Sequence, residues 1–118
     1  SNAWSYVGRN NEGMITEVIE KVEISNEATV GVYGWNKSID AKKSFQDTFD
    51  RNLRTNNEFY VAPTYNYLID SGAVVETDMI GSHGIAVHGL GTPKDLAEFL
   101  TIPLALERSL ELKNFLGV

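Results

Sequence analysis

Apolar and polar residues alternate along the first twenty positions of the chain, and helical spacing takes over further on. Positions 4–9 are short, aromatic and β-prone, and Asn10-Asn11-Glu12-Gly13 is a turn-forming cluster. Over 14–21 the alternation puts Met14, Thr16, Val18 and Glu20 on one face and Ile15, Glu17, Ile19 and Lys21 on the other. Together these segments predict a β-hairpin with a bulged turn. A third strand is expected over 29–35, weakened by Gly31 and Gly34. Ser38 is a good N-cap for a helix running to about Leu53. In that helix Ala41, Phe45, Phe49 and Leu53 recur every four residues, while Lys42, Lys43, Gln46, Asp47 and Asp50 face outward. Arg54-Thr55-Asn56-Asn57 breaks it.

A second helix is predicted over 60–70, with Pro63 tolerated near its first turn and Gly72 ending it. Strands are expected over 73–80 and 85–90, on either side of a Gly81-Ser82-His83-Gly84 turn. Thr92 then caps a helix in which Pro93 takes the first position, Asp95 sits beside the positive end, and Leu96, Phe99 and Leu100 point inward. Pro103 interrupts, and a final amphipathic helix over 104–116 offers Leu106, Leu110, Leu112, Phe115 and Leu116 for packing. No internal repeat or low-complexity tract is present. The pattern is α/β: a mixed β-sheet with helices packed against one layer.

Composition narrows the partners. Of the 118 residues, 42% are hydrophobic, which suits one folded domain or part of one. Ser1-Asn2-Ala3 reads as the remnant of a cleaved expression tag, leaving 4–118 as the natural portion. A net charge of −6 argues against nucleic acid, which needs clustered Lys and Arg. No apolar run reaches the roughly 18 residues of a membrane span. The absence of cysteine removes disulfide and thiolate chemistry and is compatible with a cytoplasmic address. His83 and His88 lack the third ligand that a zinc site needs, so both read as turn or sheet residues. No serine stands in a nucleophile setting. Opening almost directly on a strand suggests that natural sequence precedes Trp4, and a missing strand would leave a sheet edge that a second copy could cover; a homodimer or a strand-exchanged assembly is expected.

Four segments share a further pattern: Glu20-Lys21 closing a strand, Thr29-Val30-Gly31-Val32-Tyr33, the run Glu58-Phe59-Tyr60-Val61-Ala62-Pro63-Thr64-Tyr65-Asn66, and Gly89-Leu90-Gly91-Thr92-Pro93. In this order and spacing they resemble the C-terminal half of the sugar nucleotidyltransferases (nucleoside-diphosphate-sugar pyrophosphorylases), capsule-type members especially. The resemblance implies a nucleotide-diphospho-sugar transferase fold and a parent enzyme that joins a sugar 1-phosphate to a nucleoside triphosphate with Mg²⁺, releasing pyrophosphate. It makes Glu20 the acceptor of sugar hydroxyls, Lys21 the neutraliser of the sugar phosphate, and Gly31 a place where the sugar nears the main chain. Regular alternation separates Glu20 from Lys21, so both reach one ligand only if the strand ends or bulges there. Val22 stands where the family usually has proline. Gly89 stands where many members carry a Mg²⁺-binding aspartate, so no metal ligand is assigned, and no catalytic residue is named. The helix at 58–66 is expected to be mostly core, with Asn66 tying a loop by hydrogen bonds. The chain contains no Gly-rich phosphate loop. It is therefore expected to carry the sugar-side wall and to be inactive alone, the triphosphate being gripped by a missing N-terminal half. The alternatives are a sugar-nucleotide-binding module that does not turn its ligand over, and a purely structural assembly domain.

Overall fold

A computed structural model describes residues 2–117; Ser1, the first of the tag-like triplet, and Val118 lie outside the described residues. Two compact units follow each other, one up to Thr77 and one from Asp78 onward.

The first unit is built on the hairpin. Strand β1 (Ser5–Arg9) pairs antiparallel with β2 (Ile15–Glu20), Val7 opposite Val18 and Ser5 opposite Glu20. Asn10 sets the turn, its Oδ1 accepting from the N–H groups of Glu12 and Met14 at 3.0 Å each, with Gly13 at φ 82°. Gly8 faces Glu17 but Arg9 faces Ile15, so Thr16 is the extra residue of a β-bulge. The bulge corrects the expected facing. It shifts the parity within β2, so Ile15 and Val18, which simple alternation sets on opposite faces, are both buried.

No strand forms over 29–35, contrary to expectation. The incoming chain only touches β1: the Val7 N–H donates to the Glu27 carbonyl at 3.0 Å, the Thr29 N–H to Ser5 at 2.9 Å, and Ala28 bridges Tyr6. Gly31 then turns away at φ 82°, which removes the segment from the ladder. On the other side of the hairpin, Asn66 is bonded to the β2 main chain. Its Oδ1 accepts from the Val18 N–H and its Nδ2 donates to the Val18 carbonyl, both at 2.8 Å. Asn66 thus makes the tie expected of it, but to a strand.

Helix α1 (Ser38–Asp50) starts with Lys37 as its extended N-cap, so Ser38 is its first helical residue and not its cap, and it stops before Leu53. The inward stripe is also displaced. Ser44 and Thr48 are buried, Ala41 and Phe45 half-buried, whereas Phe49 and Leu53 are exposed. Both hydroxyls satisfy themselves on carbonyls one turn back, Ser44 on Asp40 at 2.8 Å and Thr48 on Ser44 at 2.9 Å. Small polar residues therefore face inward without an orphaned group, and α1 packs closely on the next elements.

Beyond α1, Thr55 and Glu58 exchange two 2.9 Å main-chain bonds around Asn56 (φ 48°) and Asn57 (φ 64°), a two-residue turn with both central residues left-handed. The helix expected over 60–70 is a single 3-10 turn (Ala62–Thr64) running into the short α2 (Tyr65–Asp70). Gly72 ends it as expected: at φ 85°, its N–H reaches Ile69 and that of Ala73 reaches Leu68. The core joins Val7, Ile15, Val18 and Ala62, with Tyr33, Tyr65, Ile69 and Val75 packed against it. Tyr65 stacks on Trp35 (centroids 4.8 Å, 9° between planes) and its hydroxyl bonds both the N–H and the carbonyl of Gly34. No strand forms over 73–80.

In the second unit the segment expected as a strand at 85–90 makes one bridge, His83 to Val87. Helix α3 (Pro93–Phe99) has the expected start: Thr92 accepts from the Asp95 N–H at 3.1 Å and Asp95 from the Thr92 N–H at 3.0 Å, a capping box with Pro93 first. In α4 (Pro103–Leu116) only Ala105 is buried. Leu106, Leu110, Leu112, Phe115 and Leu116, expected to pack, are all exposed, as are Leu96 and Leu100 of the α3 region. No helix of the described residues is long and apolar enough to cross a membrane.

Candidate functional site

Strand β2 ends at Glu20, and Lys21 leaves the pleat in the left-handed region at φ 59°. This is the break in alternation that the sequence requires if both side chains are to serve one ligand. A lysine there, where glycine or asparagine would be easier, holds about 1 kcal/mol of backbone strain. Glu20 is buried, 6% exposed, and accepts a hydrogen bond from the Ser5 hydroxyl on Oε2. The Lys21 N–H donates to the Trp4 carbonyl at 2.9 Å.

The Lys21 ammonium donates to the Tyr60 hydroxyl and lies 4.6 Å from the centre of that ring. Tyr60 in turn donates to Glu58 Oε2 at 2.5 Å. The Tyr60 bond holds the ammonium above the ordinary lysine range; burial opposes it, and electrostatic attraction to Tyr60, Glu58 and Glu20 adds to it. Gly31 is exposed, and a Cβ built on it meets no atom within 4 Å. Its glycine answers to the left-handed backbone and leaves the main chain open to approach.

Sequence reasoning treated Glu58 and Tyr60 as parts of a packing segment. What brings them to Lys21 is the Asn56–Asn57 turn, and adjacent asparagines are the one local signal that could have revealed it. A second polar cluster was also missed. Arg9 Nε and Nη2 grip Glu27 at 2.7 and 2.6 Å, Thr77 Oγ1 accepts from Arg9 at 2.7 Å and donates to Glu27 at 2.6 Å, and Arg9 Nη1 donates to the Gly13 carbonyl at 2.8 Å. The Arg9 hydrogen bond draws the Glu27 carboxyl from its usual 4.5 down to about 2. Because the folded value lies below the unfolded one, the contribution is complete above pH 4.5 and is lost as pH falls toward 2. Solvent screening keeps it near 1 kcal/mol. Glu27→Gln should therefore lower stability by about that much at pH 7, and the gap from wild type should narrow as urea unfolding is repeated below pH 4.5 toward pH 2.

In the second unit, His83, His88, Gly89, Asp95, Glu98, Phe99 and others line a shallow cleft of about 110 Å³, with the His88 ring edge-on to Phe99 at 5.3 Å. Among the described residues no three His, Cys, Asp or Glu side chains are grouped as ligands of a metal ion.

The fold is α/β and nucleotidyltransferase-like. The chain superposes on the nucleoside-diphosphate-sugar pyrophosphorylase from Vibrio cholerae RC9 with a TM-score of 0.74 and 24% sequence identity, over 86% of this chain and 43% of that one. It thus spans less than half the length of that protein. No protein-family model matches the chain, and no curated protein does either.

Proposed function

We propose that this chain is the C-terminal, sugar-side portion of a capsule-type sugar nucleotidyltransferase serving polysaccharide synthesis in the cytoplasm. The whole enzyme condenses a sugar 1-phosphate with a nucleoside triphosphate. A sugar-phosphate oxygen attacks the α-phosphorus, the bond to the β-phosphate oxygen breaks, and pyrophosphate leaves. In this chain Glu20 Oε1 accepts from sugar hydroxyls, Lys21 neutralises the sugar phosphate, and the open main chain at Gly31 lets the sugar settle. The shared fold supports the reading, and the observation that carries it is the strand end, where a buried carboxylate is followed by a lysine turned out of the pleat. Mg²⁺ is expected for the whole enzyme. Triphosphate binding and catalysis fall to the other half, so the chain alone is inactive.

Titration with sugar 1-phosphates tests this. Lys21→Ala should weaken binding about tenfold or more, the worth of a charge-assisted contact. Lys21→Gly should lose the same affinity yet unfold about 1 kcal/mol later than Lys21→Ala, because the left-handed strain is relieved. Equal binding by wild type and both variants rejects the assignment. Gly89, whose side chain offers no ligand atom, favours a second reading, a domain that binds a sugar nucleotide without turning it over. Pyrophosphate release by the full natural chain separates the two. A homodimer remains the expected assembly, with the exposed leucines of α4 as the surface to cover. A monomeric mass at every concentration in light scattering argues against it.

A further inference from the structure

We propose that Tyr60, anchored by Glu58, is a positioning residue that fixes the Lys21 ammonium for an incoming phosphate. The proposal rests on the reading of Lys21 as the phosphate contact and adds two residues to that site.

Lysine is a flexible point charge on a four-carbon stem, and ordering it on a ligand costs rotamer freedom. Here that freedom is already restricted at three points. The main chain of Lys21 is bound to Trp4, its stem leads to an ammonium above the Tyr60 ring, and one of the three N–H groups is donated to the Tyr60 hydroxyl. Two N–H groups remain for phosphate oxygens. Tyr60 can accept from Lys21 in a fixed direction because its own proton is committed to Glu58 at 2.5 Å. Glu58 is held in turn by the reciprocal main-chain bonds with Thr55 across the Asn56–Asn57 turn. The chain of support runs from a tight turn through a carboxylate and a phenol to the cation. Nothing in core packing calls for this arrangement, since Glu58 is exposed and Tyr60 only half-buried. Its cost to an anionic ligand is a nearby negative charge at Glu58, which positioning must outweigh.

The test uses the 118-residue chain and two readouts. By NMR, the Lys21 side-chain titration should move down toward the ordinary lysine range in Tyr60→Phe and in Glu58→Leu, and the Lys21 Nζ protons should exchange faster. Glu58→Gln keeps an acceptor for the phenol and should preserve the slow exchange. In titrations with a sugar 1-phosphate, Tyr60→Phe and Glu58→Leu should bind about tenfold more weakly and Glu58→Gln within about twofold of wild type. If charge alone matters, Glu58→Gln and Glu58→Leu bind more tightly and Tyr60→Phe is unchanged, which overturns the proposal. An unaltered Lys21 titration and exchange in Tyr60→Phe overturns it as well, whatever the ligand result. If wild type binds no sugar 1-phosphate while the NMR shifts appear, the positioning of Lys21 stands and the assignment of its ligand fails.

Discussion

Replacing Asn66 with leucine should lower the unfolding free energy by about 3 kcal/mol, because it strands two buried main-chain groups at once. Asn66 presents an acceptor to the Val18 N–H and a donor to the Val18 carbonyl, as an adjoining strand would. Leucine has neither, and its bulk keeps water from filling in. Val18 itself is in the core, 5% exposed, so its main chain has little recourse to solvent. Asn66→Asp should fall between the two, since one oxygen still accepts from the N–H while the other faces a carbonyl. Urea unfolding measures the loss, and amide exchange at Val18 locates it. A loss under about 1 kcal/mol with the Val18 amide still protected would show that the bonds matter little.

The second large effect is expected at Tyr65. Truncation to alanine should cost about 3–4 kcal/mol, as for other packed aromatic side chains. Tyr65 touches Tyr33 and Trp35, packs on the Val7–Ile15–Val18–Ala62 cluster, and pins Gly34 through both main-chain groups. Burial pushes its phenol pKa up, the Gly34 main chain opposes this, and the Tyr33 charge adds a little. Tyr65→Phe keeps the stack and should lose only about 1–2 kcal/mol for the missing hydroxyl bonds. Trp35 emission, read in a Trp4→Phe background, should shift to the red in Tyr65→Ala as water reaches an indole N–H that has no hydrogen-bond partner in the structure. An unshifted spectrum with a small stability change would mean that Trp35 is held by Phe45, its other ring neighbour at 5.4 Å.

What was legible in the sequence was what a few neighbouring residues decide. The Asn10 turn, the Thr92 cap with Asp95 at the positive helix end, Pro93 at the first helical position and Gly72 at a helix end are decided by close neighbours, and all are present. Facing and pairing were not legible. Thr16 looks like any alternating residue, yet as a bulge it decides that Ile15 and Val18 share the interior. The stretches 29–35 and 73–80 have the composition of strands, but a strand exists only beside an open ladder, and β1 is satisfied by Glu27 and Thr29. In α1 the period was read correctly and its phase was not, because Ser44 and Thr48 hide their hydroxyls on their own helix. Of the candidate site, Glu20 and Lys21 stand next to each other in the sequence. Their supports at Ser5, Tyr60 and Glu58 do not, since Lys21 and Tyr60 are separated by 39 positions with no periodic relation between them.

A side-chain amide that occupies the flank of β2 has a consequence for growth of the sheet. Another chain that tried to zip onto β2 would find the docking rung at Val18 already filled, and would have to evict Asn66 before gaining anything. The hairpin therefore carries its own stopper against fibril-like stacking at that rung.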